Sequence, residues 1–400
     1  MTRPSRIEEV RPILVHLCAG TWRFRGSRTA TLLAVLQLVV GCRSTRPQFP
    51  VGMSGVPDPA AFPTLREAGF NLVVGTASLD YLEAAKREGL GVIAFPGTSA
   101  GDRMFDPVRA RETVRRWDGH PALRAWYLSD EPDLNRVSPA EITRAAETLH
   151  QAGARKPTAL VLFDGNQGGA YAGLVDWLIQ DRYPVPWMPL ADFAKHLRLA
   201  RLAAGPDRPL YAVIQAFDWS LYPEQLKPRE GMRPPSELEL RAMTYLALVR
   251  GAQGLLYYCY DDGHWRLREH PETWDVLQRV VGEVRLRERL FQGKAEWAGW
   301  DFRHPDAARH RNEALDPAVQ ATLIRVQRGD DFVPAGCYLV AVNTLADEVP
   351  WRFRPRGGRP VDRPLPLLDE ARQAEMVEGW YSHRFGPYEV RVFGPIAGQF

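Results

Sequence analysis

The sequence predicts an α/β protein: a closed (β/α)8 barrel of the TIM type followed by a small antiparallel β-sandwich. Three observations carry that expectation. Eight short apolar runs of strand type alternate with helical patterns between Phe49 and Gly293. Strands that apolar are buried on both faces of a parallel sheet, and eight of them over roughly 240 residues close into a barrel. No Gly-x-Gly-x-x-Gly follows the first run, as a doubly wound dinucleotide sheet would have. Beyond Gly293 the pattern changes to short strands separated by Gly, Pro and Asp turns, the signature of a sandwich.

The elements follow in order. Phe49–Gly55 is the first strand, and Pro59–Gly69 a helix closed by glycine. Asn71–Thr76 is the second strand, with the amphipathic stretch Leu79–Glu88 behind it. Gly91–Pro96 is the third, followed by a helix over Pro107–Trp117. Leu123–Leu128 is the fourth, breaking off into Ser129-Asp130-Glu131-Pro132. Proline has no N–H for a sheet ladder, so the strand ends there and delivers two carboxyl groups to the rim. Ser138-Pro-Ala-Glu141 is a capping box with proline at the first helical position, opening a helix to about Ala152. Pro157–Phe163 and Val175–Asp181 are the fifth and sixth strands, and the loop Asp164–Gly169 leaves little or no helix between them. A helix over Leu190–Ala204 leads to the seventh strand, Pro209–Phe217, tipped by Asp218 and Trp219. A helix over Ser236–Arg250 leads to the eighth, Gly254–Tyr260, tipped by Asp261 and Asp262, and His270–Leu290 is the last helix of the series. In the sandwich, residues 294–400, strands are expected at Ala321–Gln327, Cys337–Asn343, Val349–Phe353 and Tyr388–Phe393.

Residues 1–42 read as a lipoprotein leader. Arg23, Arg25 and Arg28 precede the apolar run Ala30–Val40, too short to span a bilayer but of the length of a signal-peptide core. The ending Val39-Val40-Gly41-Cys42 resembles a bacterial lipobox, which makes Cys42 the lipidated residue. Residues 43–48 are a polar tether, and the barrel occupies 49–293. A membrane is thus an expected partner, through the anchor. The net charge of +3 is small and the Lys and Arg residues are dispersed, so nucleic acid is not expected. The four cysteines have no paired spacing, and no metal or organic cofactor is expected.

The strand tips carry the candidate chemistry. Asp130 and Glu131 lie on the fourth, Asp181 and Tyr183 on the sixth, Gln215 and Asp218 on the seventh, Asp261 and Asp262 on the eighth. All belong to the C-terminal rim, where this fold gathers its functional residues. Carboxyl groups together with Trp126, Tyr183, Trp219, Tyr258, Tyr260 and Trp265 suggest carbohydrate as the partner. A glycosidic bond needs one carboxylic acid to protonate the leaving oxygen, and a carboxylate to attack or to activate water. Crowding keeps one member of such a group protonated. Of the histidines, His264 stands past the eighth strand on a solvated loop and His270 opens the last helix in a structural role.

Trp126-Tyr-Leu-Ser-Asp-Glu-Pro132, Asp181-Arg-Tyr-Pro184 and the stretch Met243–Tyr258 resemble barrel glycoside hydrolases of clan A, most of all the β-galactosidase-like barrels. The run Phe385–Phe393 also looks like the sandwich that follows such barrels. The resemblance implies Glu131 as general acid/base, with Asp130 in place of the usual asparagine. It implies a glutamate nucleophile at the end of the seventh strand, where this chain has Gln215. Three options follow: Asp218 or Asp181 takes the second role, the substrate assists itself, or the barrel binds sugar without cleaving it.

Overall fold

The computed structural model describes residues 47–97, 105–227, 229–296, 300–303, 318–355 and 364–396. The leader, Cys42 and all of the tether but its end lie outside these residues. From Gln48 onward the chain forms one compact unit. No helix among the described residues is long and apolar enough to cross a membrane.

Eight parallel strands close the expected barrel: β1 Val51–Met53, β2 Leu72–Thr76, β3 Gly91–Phe95, β4 Leu123–Ser129, β5 Thr158–Leu162, β6 Trp177–Asp181, β7 Leu210–Gln215 and β8 Gly254–Tyr258. Closure is made by β1 against β8, with Gly52 opposite Leu256. A Cβ at Gly52 would stand 2.5 Å from the Leu256 side chain, so this seam requires a glycine. Ser138 forms the expected capping box, Ser236 forms another, and Asp106 caps the helix opened by Pro107. Between β5 and β6 the helix is replaced by three single turns at Gly165–Gln167, Gly168–Tyr171 and Ala172–Leu174, as the glycine-rich loop predicts.

Trp126 and Tyr127 are neighbours on β4 and therefore point to opposite faces. Trp126 is fully buried, and its indole N–H donates to Asp118 Oδ1 at 2.9 Å. The same carboxylate accepts the backbone N–H groups of Arg155 and Lys156 at 3.0 and 3.1 Å, fastening the approach to β5. Asp118→Ala would leave the buried indole N–H and two partly buried backbone N–H groups without their acceptor, and is expected to cost about 2–4 kcal/mol. A urea titration would measure it; a loss below about 1 kcal/mol would mean that water replaces the carboxylate.

The C-terminal module is a two-sheet sandwich. One sheet has the order β17 (Val390–Ile396), β12 (Gly336–Asn343), β11 (Val319–Val326) and β9 (Lys294–Glu296). The other runs β10 (Trp300–Arg303), β13 (Val349–Pro355), β16 (Trp380–Phe385), β15 (Gln373–Val377) and β14 (Leu365–Pro366). Alternation along β12 sorts its side chains between two cores. Tyr338, Val340 and Val342 join the barrel's core, while Cys337, Leu339 and Ala341 join the sandwich interior. That strand is apolar throughout because both of its faces are buried. A polar network ties the same region together: Glu283 accepts from Arg241 at 2.7 and 2.8 Å and from the Tyr245 hydroxyl at 2.8 Å. Arg287 joins Glu283 at 2.6 Å and reaches Asp369 of the sandwich at 3.2 Å.

Candidate active site

The C-terminal ends of β4, β6, β7 and β8 build the mouth, and each polar residue after β4 has a separate task. Asp130, exposed, accepts the Tyr127 hydroxyl at 2.5 Å. Glu131 has φ +40° and ψ 57°, the left-handed region that a side chain rarely adopts. Such a conformation costs on the order of 1–3 kcal/mol and persists where the surroundings enforce it. Pro132 opens a single helical turn whose N–H groups, from Leu134 and Asn135, return to the Glu131 carbonyl at 3.1 and 2.8 Å. Asp133 accepts the backbone N–H groups of Phe163 and Asp164 at 3.2 and 2.7 Å, pinning the end of β5 to the tip of β4.

Asp181, the last residue of β6, is 3% exposed and lies within hydrogen-bonding reach of Glu131 and of the Tyr183 phenol. Its Oδ1 has no hydrogen-bond partner. Burial first, then the neighbouring Glu131 and Asp130, push the Asp181 carboxyl well above the usual carboxylate range, with Tyr183 acting against the rise. Crowded against Glu131 and out of water, Asp181 is driven toward its protonated form, which lets the two carboxyl groups hold one proton. Burial raises the pKa values of Tyr127, Tyr183 and Tyr258, helped by Asp130 at Tyr127, Asp181 at Tyr183, and Cys259 and Asp262 at Tyr258, which keeps their hydroxyls protonated as donors.

One wall of the mouth is aromatic. Tyr183 packs on Phe217, Tyr258 and Trp219 with ring centroids at 5.1, 5.7 and 6.2 Å. Trp187 stands 6.4 Å from Trp219, and the Trp219 indole donates to the Tyr183 carbonyl at 3.4 Å. Asp262 braces this wall, accepting the Tyr222 and Tyr258 hydroxyls at 2.8 Å each, and the His264 and Trp265 N–H groups at 3.0 and 2.9 Å. Burial opposes its charge, but these donors hold its carboxyl below the usual range.

Several expectations are placed differently by the structure. Trp126 is turned away from the mouth and sealed against Asp118, so it does not face a ligand there. Gln215 is fully buried and its amide is committed: Nε2 donates to the carbonyls of Val185 and Phe217 at 2.9 and 3.2 Å, and Oε1 accepts the Val185 N–H at 2.9 Å. It holds the loop after β6 instead of presenting a donor. Asp218 accepts the Ser220 N–H at 2.8 Å and caps the turn Trp219–Leu221. Asp261 faces Arg268 and Arg266 at 3.6 and 3.8 Å. Tyr260 packs toward Trp274 with centroids 6.4 Å apart, and Trp265 is buried in a stack on His270 at 3.9 Å. His264 is exposed beside Tyr222 at 5.4 Å. Four residues of the site were not singled out from the sequence: Tyr127, Asp133, Trp187 and Tyr222. Tyr127 had a signal, since it shares a strand face with Ser129, next to the two acids; the loop residues had none.

No protein-family model matches this chain, and no curated protein matches it. Solved structures do share its fold. A β-galactosidase from Bacillus circulans sp. alkalophilus superposes with a TM-score of 0.56 at 9% identity, covering 87% of this chain and 99% of that one. The α-amylase from Geobacillus thermoleovorans, complexed with acarbose, gives 0.52 at 10% identity over 87% and 99%. A β-galactosidase from G. stearothermophilus gives 0.52 at 9% identity over 87% and 98%. At such identities the likeness is one of fold: this chain shares with these glycosidases a closed eight-stranded barrel, here with antiparallel sheets C-terminal to it.

Proposed function

We propose that this chain is an exported lipoprotein, anchored through Cys42, that hydrolyses glycosidic bonds in an oligo- or polysaccharide with Glu131 as general acid/base. The observation that carries the reading is the contact between Glu131 and buried Asp181 at the foot of an aromatic wall. The glycosidase-like fold supports it. Glu131 is the partly exposed member and meets the substrate; Asp181 beneath it shares the proton. Glu131 protonates the leaving oxygen as the carbon–oxygen bond breaks, water adds to the anomeric carbon, and the proton that water releases returns to the pair. Tyr183, Tyr258, Trp219 and Asp130 would hold the sugar, by ring contact and by hydrogen bonds to hydroxyls.

Carboxyl groups that straddle a glycosidic bond stand about 5–9.5 Å apart. A pair in hydrogen-bond contact lies on one side of the bond, which is why water is the attacking group here. The panel that tests this is a set of aryl glycosides and polysaccharides, comparing residues 43–400 with the same protein carrying Glu131→Gln. At least a hundredfold lower turnover is expected, about the lower end for removal of a general acid. Undiminished turnover would sink the assignment. One observation favours a second reading, a carbohydrate-binding lipoprotein without turnover: the seventh-strand position holds Gln215, occupied in holding a loop. Glycan binding with no hydrolysis anywhere in the panel would select it.

A further inference from the structure

We propose that the face of the barrel opposite the mouth is a docking surface for an anionic lipid bilayer. In a parallel barrel the starts of the strands and the C-terminal ends of the helices share that face. Arg87 ends the helix Leu79–Glu88, and Arg115 and Arg116 end the helix Pro107–Trp117, all exposed. Arg124, exposed, lies at the start of β4, and Arg155 and Lys156 precede β5. Contacts join these into one patch. Arg124 lies over Gly91, the first residue of β3, where a Cβ would meet its Cγ at 2.6 Å. His120 reaches Glu83 of the preceding helix at 3.1 Å, and Arg155 passes within 3.9 Å of the Cβ position of Gly119.

The nearby acids leave the patch positive. Glu83 is occupied by Lys86 and His120, and Asp118 is buried under Trp126 and the backbone of 155–156. Among the described residues, Glu88, Glu112 and Asp176 stand against Arg87, Arg115, Arg116, Arg124 and Lys156, while Arg155 faces Asp118 at 3.6 Å. Basic residues at helix C-termini complement the helix dipole, which accounts for Arg87, Arg115 and Arg116. It does not account for Arg124 and Lys156, which stand where strands begin. The opposite end carries Asp130, Glu131 and Asp262 at the mouth, so an anionic surface favours the basic end of the barrel over the mouth.

The occupant is indicated by where the chain enters. Phe49 is held on this same face, its carbonyl accepting from Asn71 at 3.0 Å and from Arg285 at 2.8 Å. Residues 43–48 span at most about 20 Å when fully extended. In this respect the inference rests on the anchor proposed at Cys42: a short lipid tether brings this face toward the membrane and turns the mouth away from it.

The test is cosedimentation of residues 43–400, which keep the whole compact unit, with phosphatidylglycerol-containing or pure phosphatidylcholine vesicles. Binding to the anionic vesicles alone is expected, weakening as salt shortens the screening length. Arg115→Gln, Arg116→Gln and Arg124→Gln together are expected to weaken it roughly a hundredfold, at about fivefold per cation removed. The thermal midpoint should stay unchanged. No binding to anionic vesicles, equal binding to neutral ones, or affinity untouched by the triple substitution would overturn the proposal. So would equal affinity for duplex DNA, which would make the patch a general polyanion surface. Palmitate labelling of the full chain against Cys42→Ser reports on the anchor separately, so the two ideas fail independently.

Discussion

Asp181→Asn is expected to lower hydrolysis at least a hundredfold, and yet to make the protein more stable above neutral pH by about 0.5–2 kcal/mol. Both effects come from the same contact. In the parent the Glu131–Asp181 pair holds a shared proton, which the asparagine amide replaces with an N–H that donates at any pH. The proton available to a leaving group is lost with it. For stability, the folded pKa of Asp181 lies well above the value of about 3.9 expected of an unfolded Asp. The folded state therefore binds more protons than the unfolded one once the pH exceeds about 4, and stability falls as pH rises through that window. Asparagine does not titrate, so its curve should be flatter there. Urea titrations at pH 5, 7 and 8.5 would show the two curves diverging with pH. A variant less stable than the parent at every pH would mean that the acid is part of a stabilising arrangement, and not a strained functional one. Conserved turnover would remove Asp181 from the chemistry.

The barrel is legible in the sequence because burial on both faces of a parallel sheet leaves nearly uninterrupted apolar runs, and helix starts carry their own signals, as the capping box at Ser138 does. The sandwich is legible only in part. The strands found from sequence, around β11, β12, β13 and β17, are those with long apolar content. β15 and β16 were passed over because their sequences, Gln373–Val377 and Trp380–Phe385, mix polar residues with apolar ones and contain His383 and Arg384. In β13 the same alternation leaves Val349, Trp351 and Phe353 inward and Arg352 and Arg354 partly exposed.

For the site, position along the chain gives the rim but not the direction of each side chain. Asp130, Glu131, Asp181 and Tyr183 converge, whereas Trp126 is one residue out of phase and points to the helices. Gln215 is at the right height on β7, but what it binds depends on the loop at Val185, thirty residues earlier in the chain. A polar residue at a strand end says that a partner exists. Whether that partner is a substrate or a neighbouring backbone is decided by packing that a linear pattern does not contain.

The same reasoning makes the C-terminal module part of the barrel's stability. Tyr338, Val340, Val342, Ile324, Val390 and Val392 belong to the core that includes the helix Glu237–Val249. Removing the sandwich would expose that face to water. Val340→Asp places a carboxylate at the centre of it, among apolar side chains. Burying an unpaired charge is among the few single changes that exceed about 4 kcal/mol. The expected outcome is a protein that does not fold as a unit: loss of soluble expression, and loss of the barrel's cooperative melt along with the sandwich's. Arg352→Asp, on the partly exposed side of β13, serves as the control and should change stability by no more than about 0.5 kcal/mol. If the Val340→Asp variant keeps a barrel that melts at the parent's midpoint, the module is an independent appendage and the shared core contributes little. The Glu283 network gives reason to expect otherwise. Arg241 and Arg287 are both anchored on that carboxylate, and each reaches across to the sandwich, at Val390 and Asp369. Apolar contact and charge thus cross the same boundary, and a barrel without its sandwich would lose both.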